Sequence, residues 1–221
     1  MAAVVLLSGG LDSTVTLAKA ISDGHEVTAL SFRYGQRHER ELESAKRICR
    51  RYGIDHVIMD IDLTSFRSSL TQKKRKIPER SGGSIGKDIP STYVPARNIL
   101  FLSAAAGLCE SIDADTIYIG ANAIDYSGYP DCRPGFFKKF EEMLKAGTKA
   151  GAEGRPLKIE TPILDMSKKD IVLLGTELKA PLEMTWSCYA GREKACGRCD
   201  SCRLRMKGFA EAGVNDATEY E

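Results

Sequence analysis

The chain has 221 residues, 43% of them hydrophobic and 28% charged, which suits one sizeable α/β domain with a small appendage and rules out global disorder. Thirty-two Lys and Arg against 30 Asp and Glu leave a formal net charge of +2, so the chain has no overall electrostatic footprint for nucleic acid or an anionic membrane. The longest nearly apolar run, 99–109, falls short of the roughly 20 residues that a membrane span needs, and no basic segment precedes the apolar start; a cytoplasmic protein is expected.

The run 3–7 is short, apolar and rich in valine, and it ends in Ser8-Gly9-Gly10, as a buried parallel strand ends in a turn. Val15, Leu17, Ala18 and Ile21 then recur at helical spacing, with Gly24 where a C-terminal cap belongs. A second strand is expected over 27–32, a second helix over 38–52 closed by Gly53, and a third strand over 56–61. Periodicity then stops. Residues 64–91 carry the basic run 73–76 among serines and glycines, and so long a stretch inside a compact domain reads as a mobile lid.

Pro95 opens an apolar helix to about residue 112, followed by a strand over 116–120, a helix over 136–149 and a weak strand over 157–161. Ser167 with Asp170 starts a further helix, to about residue 178, as a capping box does. Strands alternating with helices predict a doubly wound parallel sheet.

Two constellations carry chemistry. Ser8-Gly9-Gly10-Leu11-Asp12-Ser13 lies between the first strand and the first helix, where free backbone N–H groups make an anion site. The glycines allow close backbone approach, the serines supply hydroxyls, and Asp12 suits a magnesium ion bridging phosphate oxygens. The Gly-Lys-Ser/Thr of a Walker loop is absent. The second constellation is Cys188, Cys196, Cys199 and Cys202, whose spacing fits a closed, structural tetrahedral zinc site, with iron–sulfur ligation as the rival. Arg203, Arg205 and Lys207 follow on a helix whose simplest reading is a solvated face.

The stretch from Leu7 to Ser13 resembles the pyrophosphate loop of the N-type ATP pyrophosphatases, which adenylate a carboxylate or related oxygen and then admit a nucleophile. Phe32-Arg-Tyr-Gly-Gln-Arg-His38, Ser91-Thr-Tyr-Val-Pro-Ala-Arg-Asn98, Asp125-Tyr-Ser-Gly-Tyr-Pro-Asp-Cys132 and Thr185-Trp-Ser-Cys-Tyr189 narrow the resemblance to the 7-cyano-7-deazaguanine synthases. It implies an adenine-nucleotide alpha-hydrolase-like α/β domain over 1–180 and a small zinc-binding helical hairpin over 181–221. The implied reaction converts 7-carboxy-7-deazaguanine and ammonia to the nitrile through an adenylate and an amide, with ATP, magnesium, one structural zinc, and a homodimer that binds neither nucleic acid nor membrane.

The resemblance assigns ATP to Leu7, Ser8, Gly9, Gly10, Leu11, Asp12, Ser13, Thr14, Val15, Thr16, Leu17 and Lys168, although Lys168 also reads as a first-turn surface lysine. It assigns the deazapurine to Arg97, Asn98, Asp125, Tyr126, Ser127 and Asp131. Asn122 and Ala123 depart from the family pattern, which has Cys and Glu there, and Cys132 lacks a histidine nearby in sequence. The competing readings are a tRNA sulfur transferase, which would need a basic surface and a catalytic cysteine pair, and a zinc-bearing nucleic-acid module using the 73–76 run.

Overall fold

The computed structural model describes residues 1–72, 74–78, 89–124 and 129–221. Five parallel strands, β1 (Ala2–Leu6), β2 (Glu26–Arg33), β3 (Asp55–Asp60), β4 (Thr116–Ile119) and β5 (Lys158–Glu160), form one sheet in the order β3-β2-β1-β4-β5. The chain winds outward from β1 through β2 to β3, then returns to continue from the other side of β1. The strand order therefore reverses between β1 and β4, and a crevice opens there at the carboxyl ends of the strands. This is the expected doubly wound sheet.

Both faces of β1 are buried. Val4 and Leu6 share a core with Leu30, Ile117 and Ile119 under α3 (Arg97–Ser111) and α4 (Pro134–Gly147). Ala3, Val5 and Leu7 face the opposite core with α1 (Leu11–Ser22) and α2 (Arg40–Tyr52). Helix α2 is rich in Arg and Glu but buries Leu42, Ala45, Ile48 and Cys49 at helical spacing, and Gly53 ends it at φ 65. Burying each such Leu or Ile contributes roughly 1.5–3 kcal/mol. A short helix α5 (Lys149–Ala152) follows α4, and α6 (Lys168–Glu177) starts in the expected capping box: Ser167 Oγ accepts from Asp170 N at 3.2 Å, and Asp170 accepts from Ser167 N at 3.1 Å.

The 181–221 region consists of a 3₁₀ turn (Leu182–Met184), a cysteine loop, α7 (Asp200–Ala212) packed on α6, and a tail that bridges Tyr220 to Ala195. Arg205, expected on a solvated face, is 2% exposed, which corrects that reading. Its guanidinium bonds Asp216 at 3.0–3.1 Å, Thr185 Oγ1 at 2.6 Å and Leu182 O at 3.3 Å, so it pins both the turn and the tail to α7. A buried arginine is tolerated only when its donors are matched in this way.

The flanks of the expected lid are anchored. Ser68 and Ser69 are fully buried, Ser69 N donates to Ser91 O at 2.8 Å, and Arg37 Nε holds Ser69 O at 2.6 Å. Residues 79–88, Lys73 and the expected ligand residues Asp125, Tyr126 and Ser127 lie outside the described residues. No helix among the described residues is long and apolar enough to cross a membrane.

Candidate active site

The glycine loop leaves β1 and folds under its own hydroxyls. Ser8 Oγ and Ser13 Oγ lie 3.0 Å apart, Ser8 N donates to Ser13 Oγ at 3.2 Å, and Gly10 N donates to Ser8 Oγ at 3.2 Å. Gly9 has φ +89, and a Cβ there would stand 2.0 Å from Glu41 O and 2.6 Å from Ala45 N, so α2 lies directly against the loop. Gly120, after β4, is also approached closely, since its Cβ would fall 3.0 Å from the backbone of Asp12 and Ser13. Helix α2 and the turn after β4 thus close on the loop, leaving no room for a side chain at residue 9, and the first turn of α1, whose N–H groups lack helical partners, lines the cavity.

Lys168 is 7% exposed, which excludes the surface-lysine reading. Its Nζ stands 2.8 Å from both Oδ1 and Oδ2 of Asp12, and α7 packs so closely over it that a Cβ on Gly208 would meet its Cγ at 2.5 Å. Trp186 N donates to Gly9 O at 3.0 Å, so the C-terminal region clasps the loop directly.

A cavity of about 250 Å³ opens over this loop and is lined by Ser8, Asp12, Lys168, Arg97, Asn98 and Glu41 among others. Burial opposes the charge on Arg97, but the Tyr34 and Tyr129 hydroxyls and Asp131 hold its pKa above the ordinary arginine value. Burial pushes the Glu41 carboxyl up to about 7, against the pull of Arg97 and with Cys188 adding to the rise. Asn98 N donates to Asp131 Oδ2 at 3.1 Å, and Asn98 Nδ2 donates to Asp131 O at 3.0 Å. Asp131 therefore caps α3, whose own N-cap residue, Ala96, is left-handed and offers no side-chain acceptor. Cys132 is buried, receives Asn98 Nδ2 at 3.4 Å, and burial pushes its thiol up to about 12. At neutral pH that thiol is not an activated nucleophile.

Helical periodicity divides the expected nucleotide residues. Ser8, Gly10, Leu11, Asp12 and Ser13 reach the cavity, and Leu7 lines its floor. Val15 and Leu17 are wholly buried in the two cores behind the helix, Thr16 is buried, and Thr14 turns back to bond Gly10 O at 2.8 Å, so the side chains of residues 14–17 support the loop and do not face the cavity. Asn122 is 2% exposed and donates to Ile163 O at 3.1 Å and Met166 O at 2.6 Å, bracing the segment ahead of α6. Sequence reasoning gave no role to Glu41 or Tyr34, although both stand in or beside the motif 32–38, because nothing local to α2 says that this face meets α3 across the crevice.

The four cysteines converge. Cys188, Cys196, Cys199 and Cys202 are all buried, with their Sγ atoms within 4.8 Å of one another. A tetrahedral zinc at about 2.3 Å from each sulfur needs sulfurs about 3.8 Å apart, which is close to this spacing. Backbone N–H groups of Ala190 and Cys196 point at Cys188 Sγ at 3.4 and 3.3 Å, and that of Cys199 points at Cys196 Sγ at 3.4 Å. Hydrogen bonds from Cys199 and Cys202 lower the Cys188 thiol pKa, while the same contacts raise those two thiols in turn, so the sulfurs share their protons closely. The donor set and its compactness fit a single closed metal site.

The chain matches queuosine biosynthesis protein QueC over residues 2–213. It belongs to that family. Over 219 residues it is 57% identical to the 7-cyano-7-deazaguanine synthase of Picrophilus torridus, covering 99% of this chain and 91% of the relative. The synthase of Nostoc punctiforme is 50% identical, with both chains covered in full. Among solved structures, NMN synthetase from Francisella tularensis superposes with a TM-score of 0.52 at 17% identity, covering 97% of this chain and 78% of that one. A predicted subunit of tRNA methyltransferase from Methanocaldococcus jannaschii gives 0.51 at 16% identity, with 80% and 76% covered. These two likenesses bear on the fold alone.

Proposed function

We propose that this member of the QueC family is an ATP-dependent ligase that converts 7-carboxy-7-deazaguanine and ammonia to 7-cyano-7-deazaguanine. The observation that carries the reading is a glycine-containing phosphate loop at the strand-order reversal, with Asp12 and Lys168 paired beside it and Arg97 lining the same cavity. The carboxylate attacks the α-phosphorus of ATP and pyrophosphate leaves. Ammonia then displaces AMP to give the amide. In a second round the amide oxygen takes the adenylyl group, and loss of AMP with the remaining nitrogen protons gives the nitrile. Such transfers depend on positioning and charge neutralisation, with no protein nucleophile.

In this proposal the N–H groups of residues 8–13 hold the pyrophosphate, Asp12 holds magnesium, and Lys168 neutralises phosphate charge. Arg97 takes an anionic group of the substrate, Asn98 and Asp131 fix the wall on which Arg97 stands, and Asp125, Tyr126 and Ser127 contact the deazapurine. Residues 1–180 are the nucleotide-binding part. Residues 181–221 hold one structural zinc on Cys188, Cys196, Cys199 and Cys202. The finer readings, a cytoplasmic homodimer that binds no nucleic acid, rest on the balanced charge and the family membership.

The test is pyrophosphate release and product mass with ATP, magnesium, ammonium and 7-carboxy-7-deazaguanine. Nitrile formed by the native chain and absent with Asp12→Ala is the expected result. Pyrophosphate released with another carboxylate and none with this one would discard the substrate.

A further inference from the structure

The reaction above removes nitrogen-bound protons in each half, yet no side chain has been given the task of receiving them. Cys132 is excluded as the acceptor by its raised thiol pKa, and Asp12 by its bidentate contact with Lys168. Asp131 is occupied in capping α3.

Glu41 is the carboxylate that remains. It lines the same cavity as Ser8, Asp12 and Arg97, and its own backbone oxygen is the atom against which Gly9 is packed, so α2 fixes it at the rim of the phosphate loop. Among the described residues its carboxylate makes neither a hydrogen bond nor an ion pair. The groups around it are Tyr34 ahead of α2, His38 one turn earlier, Arg97 on α3 and Cys188 in the cysteine loop, with Asp12 and Lys168 across the cavity. A partly buried carboxylate left unpaired on the wall of a cavity adds little to stability and is the kind of group that serves proton transfer.

We propose that the Glu41 carboxylate accepts a proton from nitrogen in each half of the reaction, at the step that expels AMP. The inference rests on the nitrile-forming reading given above. In the first half, the ammonia lone pair forms the C–N bond, Glu41 takes an N–H proton, and the C–O bond breaks with its electrons to AMP. In the second half the nitrogen loses its two remaining protons: one passes to solvent once the amide oxygen is adenylated, Glu41 takes the last, that N–H pair becomes C–N π density, and the C–O bond again breaks to AMP. Between halves the proton passes to solvent, and ATP supplies both leaving groups. A carboxyl with a pKa of about 7 is matched to this work, since a general base functions best near the operating pH.

The experiment compares the zinc-loaded native chain with Glu41→Gln and Glu41→Asp, following pyrophosphate in a single turnover and nitrile in steady state. Glu41→Gln removes a charge whose burial is unfavourable, so the variant is expected to fold, which an unchanged metal content and thermal midpoint would check. The pyrophosphate burst should survive, because adenylation removes no nitrogen proton, while nitrile formation falls about 100-fold or more at unchanged KM for the carboxylate substrate. Glu41→Asp should retain part of the rate. At constant free ammonia the native kcat should rise with pH through about 7, and Glu41→Gln should lose that limb.

Nitrile formed by Glu41→Gln at the native rate would overturn the proposal. So would a raised KM at intact kcat, which would make Glu41 a recognition group, or a lost burst, which would assign it to nucleotide binding. A native chain that releases no pyrophosphate would fail at the parent reading and take this proposal with it, a result the variants cannot produce.

Discussion

The Lys168 ammonium stands 2.8 Å from both carboxylate oxygens of Asp12 and joins the first turns of α6 and α1, which are 156 residues apart in sequence. The lysine side chain is 8% exposed and the aspartate side chain 22%, so the pair is largely shielded from water at the edge of the phosphate loop. The two helices whose N-termini converge on the loop are thereby fastened to each other at the point where phosphate charge arrives.

Removing one partner leaves the other charge half-stranded. Lys168→Ala is expected to lower unfolding free energy by about 1–3 kcal/mol, short of a fully buried pair because Asp12 keeps some solvent. Pyrophosphate release should be lost as well. Combining Lys168→Met with Asp12→Asn should restore most of the stability and none of the activity, as read from urea unfolding alongside the assay.

Gly9 and Gly24 both sit at positive φ, +89 and +84, but only Gly9 has α2 backbone where a Cβ would go. Gly24→Ala should cost about 1 kcal/mol, the strain of the left-handed backbone alone. Gly9→Ala adds a clash with Glu41 O and should cost about 3 kcal/mol or more. Equal urea midpoints for the two variants would contradict this packing of α2 on the loop.

Burial alone would raise the Asp216 pKa, but the Arg205 hydrogen bonds and charge, with Tyr220 OH, outweigh it and hold the carboxyl below its ordinary 3.8. A lowered folded pKa means stability that is fully present above 3.8 and lost as pH falls through the folded value. Asp216→Asn should cost about 2–3 kcal/mol at pH 7 and flatten that acid limb in urea titrations at successive pH values.

The cysteine site should carry one zinc per chain by elemental analysis. Removing the metal, or Cys199→Ser, should lower the thermal midpoint by more than about 10 °C, because structural zinc contributes on the order of 10 kcal/mol in small domains. Trp186 N holds Gly9 O, so the demetallated protein should also bind ATP more weakly. Intact nucleotide affinity after metal loss would break this link between the cysteine loop and the phosphate loop.

The features legible in the sequence are the local ones. The valine-rich run ending in Ser8-Gly9-Gly10 reads as β1 and its loop, Ser167 and Asp170 make the capping box expected of them, and three cysteines with two residues between each announce a metal site within a short stretch of chain. Three other features depend on which elements the sheet brings side by side: Lys168 reaching Asp12, Asp131 capping α3, and Arg205 turning inward from a basic stretch. Arg205 shows why composition misleads there. Its neighbours Arg203 and Lys207 are exposed as expected, and only the helix phase relative to the 3₁₀ turn and the tail directs the residue between them into the protein.

The central claim, two adenylations on one carboxyl carbon, makes a prediction that isotopes read directly. With both carboxylate oxygens of 7-carboxy-7-deazaguanine labelled with oxygen-18, each nitrile formed should be accompanied by two AMP molecules, each carrying one labelled oxygen on its phosphoryl group, because every C–O bond broken leaves its oxygen on AMP. Nitrile accompanied by unlabelled AMP, or by label in inorganic phosphate, would contradict the account.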